Sequence, residues 1–334
     1  METRSKGLWP ALTLFFLSPA IGELLSGSAP PAEFFNPFGL LLLSCLYGSG
    51  ALLIRELRHR WNKGWPTVLA LGAAYGIIEE GLMVKSFFDP NWMDLDILGV
   101  YGRWAGVNWV WSLQLTIYHA VISIAIPILL VELLFPAQRR QRWLGRRAMA
   151  LHSFLLAAVV IVGFLLLTTY RPPLLPYLLA IIAVILLVAA ARRLPVKRIA
   201  DLNQTDIRLA GTRKLFLAGF GANMTFFMIN WVLPNLNFPV VITILFTLLL
   251  VVLAARWIGK QAQSHDWGDK HRLALACGAL GFFILLAPLQ ELDKTRLDNT
   301  GGMALTGFLA LLFLIWLWRR VRNTSPNSQS MVAI

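Results

Sequence analysis

The chain is short of charge: Asp, Glu, Lys and Arg make up 14% of its 334 residues, against roughly a quarter in water-soluble domains. It is also short of cysteine. Its two, Cys45 and Cys277, both lie in apolar runs, which excludes a disulfide framework and a thiolate metal site. With 57% hydrophobic residues and a mean hydropathy of +0.65, a water-soluble fold would have nowhere to hide its apolar surface.

What is present is a succession of long apolar runs. A helix crossing a bilayer needs about 20 mainly apolar residues, because no water in the hydrocarbon can satisfy a bare backbone group. Ten runs meet this requirement, approximately 8–26, 38–55, 66–84, 106–134, 148–169, 174–191, 214–234, 238–255, 272–289 and 303–318. The expectation is an all-α polytopic transmembrane helix bundle of about ten spans. It forms one membrane domain over 1–322, with a disordered cytoplasmic tail over 323–334.

The net charge of +13 would suit an acidic partner, but its distribution argues otherwise. Twenty-five of the 30 Lys and Arg residues fall in one set of alternate connecting segments, and only Lys85, Arg103, Arg171, Lys294 and Arg296 fall in the other. This asymmetry is the positive-inside pattern. It predicts both termini in the cytoplasm, residues 85–105 outside, a multi-pass location in the cell membrane, the lipid bilayer as partner and no nucleic acid. Trp9, Trp65, Trp104, Trp231, Trp257 and Trp318 fall near run ends, where an indole anchors at the headgroups. The first run, following Arg4 and Lys6, has the make-up of a signal sequence, with Gly27-Ser28-Ala29 a tolerable cleavage site; a retained anchor is the expectation. Pro19 and Gly22 interrupt this run without a matching interruption in 174–191, so no inverted repeat of five-span halves is evident.

A charged or amide side chain inside a span costs about 2.5–3.5 kcal/mol on insertion scales, so its position points to function. Glu79 and Glu80 sit about 6–10 Å below the outer end of their span at 1.5 Å per residue, 100° apart around the helix. They suit a general base or a metal ligand; the structural alternative is helix–helix hydrogen bonding or a pair with Lys85. Asn108, Ser112, Thr116, His119 and Ser123 follow one another at steps of four, four, three and four, a single polar stripe. His119, near the middle of its span, suits metal binding or proton transfer, or is a satisfied core residue. Asn223 and Asn230 share one face and serve a site or glue two helices. Glu23, behind the Pro19 and Gly22 interruption, either approaches the glutamate pair or meets water at a span end. In the outer loop, Asp94-Leu95-Asp96 has the form of a metal-nucleotide motif of glycosyltransferases, a short match that recurs by chance. Arg55-Glu56 and Glu132, at cytoplasmic span ends, are explained by snorkelling and surface pairing.

A Glu-Glu pair in one span, a His in the next and a polar residue in a later one resemble the superfamily of CAAX-processing and bacteriocin-processing membrane proteases, whose relatives include the PrsW-type proteases. Glu79-Glu80 match the paired glutamates, Leu115 and His119 the family's Phe-x-x-x-His, and Asn223 or Asn230 its last polar position. The family's Arg four, or Lys three, residues after the second Glu is replaced by Val84 and Met83, with Lys85 the nearest base. Its second His is missing, with Gly219 and Phe226 in its place. The resemblance implies an intramembrane hydrolase acting on a membrane-protein or peptide substrate in the outer half of the bilayer. Glu79 or Glu80 would activate water, and His119, with Glu80, would hold a divalent metal such as zinc or stabilise an oxyanion. Glu23, Asn108, Ser112, Thr116, Asn223 and Asn230 form the supporting set. The same residues also suit a proton- or cation-coupled secondary transporter.

Overall fold

Local stop and start signals cut the apolar runs into helices. Asn36 accepts the Phe38 N–H at 3.0 Å and Pro37 takes the first helical position, where its missing N–H costs nothing; Asn108 caps in the same way through Trp111 N at 2.9 Å. The computed structural model describes residues 7–93, 95–195 and 208–324. The rest of the expected tail, Asp94 of the Asp-Leu-Asp motif and the middle of the basic loop 192–213 lie outside them.

The main helices are α1 (Leu8–Leu24), α2 (Pro37–Arg60), α3 (Trp65–Gly76, continued by Ile77–Met83), α4 (Trp109–Leu134), α5 (Arg146–Leu167), α6 (Leu174–Arg193), α7 (Thr212–Asn235), α8 (Val240–Gln261), α9 (Asp269–Leu292) and α10 (Met303–Thr324). Among the described residues, eight helices are long and apolar enough to cross a membrane, all but α1 and α3. The chain is an all-α membrane bundle. Its helices occupy the ten expected runs, but the length-and-apolarity criterion is met by eight, since α1 is shorter and α3 carries the two carboxylates. Helix α10 runs on into the start of the expected tail. A two-stranded hairpin, Arg103–Trp104 with Val107–Asn108, turns through Ala105 (φ 50) and Gly106 (φ 77), the left-handed pair a tight primed turn demands.

Helix α4 is the axis of the fold, with 78% of its apolar stretch buried; α5 and α6 bury 6% of theirs and turn leucine-rich faces outward. Helices α7 and α9 approach closely through glycine, as membrane helices do: a Cβ on Gly278 would lie 2.0 Å from Phe216 O, and one on Gly219 2.2 Å from Leu275 O. The α7–α10 group meets the rest where α9 and α8 pack on α4.

At the arginine-rich end of α4, the expected surface pairs are in fact buried. Arg55 and Glu56 are fully buried and Glu132 nearly so, because the segment 137–145 folds back over them. Arg55 donates to Gln141 O at 2.7 Å and Arg139 O at 2.8 Å beneath the Trp143 ring. Glu56 accepts from Trp143 N at 3.0 Å and from Arg60 at 3.1 Å, while Glu132 meets Arg58 at 3.1 Å, His59 at 3.2 Å and Arg55 at 3.4 Å. Snorkelling does not describe a clamp whose charges are covered by the chain's own loop.

Five stretches widen to π-helical turns: Ala20–Leu24, Ser44–Gly48, Ile77–Met83, His119–Ala125 and Gly163–Leu167. Such turns shift the helical register and re-aim side chains, and they gather at functional sites.

Candidate functional site

Four of the five π-helical turns bring polar side chains together. Ala20–Leu24 carries Glu23, Ser44–Gly48 carries Tyr47, Ile77–Met83 carries Glu79 and Glu80, and His119–Ala125 carries His119 and Ser123. Small residues let these turns meet. A Cβ on Gly22 would lie 2.7 Å from the Tyr47 ring and 2.9 Å from Ser123 Oγ; on Gly72 it would meet Ala120 Cα at 2.8 Å, and on Gly76 the His119 Cβ at 3.0 Å.

At the centre is His119, 1% exposed. Its Nε2 lies 3.1 Å from Glu80 Oε1, and its Nδ1 lies 3.3 Å from Glu79 Oε2 and 3.1 Å from Ser123 Oγ. The ring is walled by three tyrosines, with centroids 5.2 Å (Tyr118), 5.9 Å (Tyr47) and 6.0 Å (Tyr75) away. Tyr47 donates to Glu23, and Tyr118 donates to Gly22 O at 2.5 Å, tying α1 to the imidazole. Ser18 holds the same junction by donating to Ser123 O at 2.7 Å. On the other flank Ser86 donates to Glu80 Oε2 at 2.5 Å and accepts from the Trp111 indole at 3.0 Å.

The cluster is acidic and incompletely satisfied. Among the described residues no Lys or Arg forms an ion pair with Glu23, Glu79 or Glu80. Lys85, the nearest base in sequence, turns its amine to three backbone carbonyls, Phe164 O at 2.8 Å, Thr168 O at 3.0 Å and Tyr170 O at 3.2 Å. Glu79 Oε2 is buried 3.3 Å from His119 Nδ1, and the Tyr75 hydroxyl is buried with it. In such surroundings an uncompensated charge is costly, so a bound cation would repay it. Glu79, Glu80 and His119 offer ligand atoms all within 4.8 Å of one another, and two carboxylates with one imidazole are a donor set for a divalent metal.

The other residues of the expected site lie elsewhere. Asn108 caps α4 and donates to Leu98 O and Tyr101 O, Ser112 donates to Asn108 O at 2.6 Å, and Thr116 packs on Gly76 one turn before His119. Asn223 donates to Ala279 O at 2.9 Å, joining α7 to α9, and Asn230 bonds Phe226 O at 2.8 Å and Thr247 at 3.2 Å, joining α7 to α8. Helix α7 touches the site's surroundings only through rings, Phe227 on Tyr118 at 6.3 Å. In the loop after α3 Asp89 caps Asn91 N at 2.9 Å and Asp96 is exposed. Conversely, Tyr47, Tyr75, Tyr118, Ser86 and Trp111 are at the site without having been marked by the sequence. The signal that could have found three of them is the placement of Tyr47, Tyr75 and Tyr118 in the middle of apolar runs.

A family model described as an uncharacterized membrane protein family matches residues 12–334, and the chain belongs to that family. A relative from Archaeoglobus fulgidus, described as an uncharacterized protein, is 25% identical over 155 residues, which cover 44% of this chain and 47% of the relative. The chain thus spans about half the length of the curated relative it matches. No solved structure matches it.

Proposed function

We propose that this integral membrane protein is an intramembrane hydrolase of the metal-assisted kind, cutting a peptide bond of a membrane-protein substrate in the outer half of the cell membrane. The observation that carries the reading is the buried junction of Glu79, Glu80 and His119, which holds two carboxylates and an imidazole in ligand distance with no Lys or Arg among the described residues to neutralise them. The likeness of Glu79-Glu80 and of Leu115 and His119 to the CAAX-processing superfamily supports it. So does the positive-inside asymmetry: on ten spans with both termini in the cytoplasm, the junction would lie toward the outer leaflet.

In this reading His119 and the Glu79-Glu80 pair would build the site of a divalent ion such as zinc, which when bound supplies a water of lowered pKa and polarises a carbonyl. The residues do the rest. A carboxylate of the pair accepts the proton of the attacking water and returns it to the leaving amine. The tyrosine wall and the π-helical turns fix the imidazole, and the apolar flanks of α1, α3 and α4 restrict access of bulk water.

A second reading, a proton- or cation-coupled secondary transporter, is favoured by one feature: Glu23 adds a third carboxylate through Tyr47, more acid than hydrolysis requires, at helix interruptions of the sort transporters use. Proteoliposomes carrying a membrane peptide substrate and a pH dye separate the two. Hydrolysis lost in Glu79→Gln and His119→Ala supports the first. Proton or cation flux lost in the same variants, with no cleavage, supports the second and rejects the first.

A further inference from the structure

The hydrogen bonds on the outer flank of the junction have a direction. An indole N–H only donates, so Trp111 Nε1 must donate to Ser86 Oγ, 3.0 Å away, and the single Ser86 hydroxyl proton is left for Glu80. Two acceptors are in range there, the carboxylate Oε2 at 2.5 Å and the backbone O at 3.4 Å, and the nearer one takes it. Glu80 Oε1 is then the oxygen that meets His119 Nε2. Both Ser86 and Trp111 are buried. Ser86 is further fixed in place by Lys85, whose left-handed backbone (φ 67) and carbonyl-bound amine anchor the end of α3.

We infer that Trp111 and Ser86 are positioning residues that lock Glu80 onto the Nε2 edge of His119, so that the ligand-facing edge of the site is His119 Nδ1 together with Glu79. In metal sites a ligating imidazole usually donates its other N–H to a carboxylate, which fixes the tautomer and the ring's direction. Glu80 has the geometry of that orienting carboxylate, whereas Glu79 Oε2 lies 3.3 Å from the opposite ring nitrogen, Nδ1, which also meets Ser123 Oγ at 3.1 Å. The inference rests on the reading of the three residues as one site. It divides their labour: His119 Nδ1 and Glu79 ligate, Glu80 orients, and Trp111 with Ser86 holds the orienter.

The test uses the full chain in detergent micelles or nanodiscs, labelled with nitrogen-15 histidine, with His119→Gln identifying the resonances of His119 among the five histidines. The expected spectrum of the metal-free protein has the proton on Nε2. Ser86→Ala and Trp111→Phe shift the Nε2 resonance, and Ser86→Thr restores it. Titration with zinc alone should then move Nδ1, with affinity lowered about 10–100-fold in Glu80→Gln, the usual scale for an outer partner, and lost in Glu79→Gln. A proton on Nδ1, an Nε2 signal indifferent to Ser86→Ala and Trp111→Phe, or zinc bound through Nε2 would overturn the inference. If no zinc binds at all, the metal reading falls, while the metal-free spectra still decide the positioning role.

Discussion

Two buried charge clusters sit along α4, about 20 Å apart at 1.5 Å of rise per residue, and they are built in opposite ways. At the arginine-rich end, both oxygens of Glu56 and of Glu132 meet a cation or a backbone N–H, and the guanidinium of Arg55 is spent on loop carbonyls. At the other cluster Glu79 and Glu80 share one imidazole, Glu23 is held by Tyr47, and among the described residues no Lys or Arg pairs with any of the three. A cluster that answers its own charges is a clamp; one that leaves them open is prepared to meet something else. Burial alone does not distinguish the two. The balance of charge does.

Substitutions should separate the clusters along that line. The largest effect is expected at the clamp: Glu56→Ala takes a buried carboxylate from Arg55 and Arg60 and removes the acceptor for Trp143 N, costing about 3–5 kcal/mol, read as lost folded protein in a detergent thermal melt. At the site, His119→Ala should remove zinc binding, a loss beyond the roughly 100-fold that outer partners cost, while destabilising the fold less than Glu56→Ala does, although it leaves Glu79 and Glu80 without their imidazole. If the two results exchange places, with His119→Ala unfolding the protein and Glu56→Ala tolerated, the division of roles is wrong. Gly22→Ala lies between them: its methyl group would press on Tyr47 and Ser123, an overpacking cost of about 1–3 kcal/mol, together with weakened zinc binding. The smallest effect is expected from Asn223→Ala, which loses one interhelical hydrogen bond worth about 0.6 kcal/mol in membranes; zinc affinity should stay at the wild-type value, and any fall would bring α7 back into the site.

The same contrast explains what the sequence discloses. Helices are legible because a run of some twenty apolar residues has few other uses, and the ends are marked by Asn36, Asn108 and the prolines. Glu79, Glu80 and His119 are legible because ionisable groups in such runs are rare. Helical spacing tells which residues share a face but not which helix that face meets, and so Asn223 and Asn230, well placed on paper, turn to α9 and α8. Tyr47, Ser86 and Trp111 escape notice for a related reason, since their roles depend on π-helical turns that displace the 3.6-residue register and on a loop that returns to the helix end. The clamp hides for want of any signal that 137–145 folds back over Arg55 and Glu56.

The most direct test of the central claim is cobalt(II) absorption on the purified chain, because d–d bands report low-coordinate nitrogen and oxygen ligation as well as stoichiometry. The account predicts one cobalt per chain with intense visible bands, weakened in Glu80→Gln and absent in Glu79→Gln and His119→Ala, all three variants remaining folded. A folded chain that binds no cobalt, or whose bands persist in His119→Ala, would contradict it.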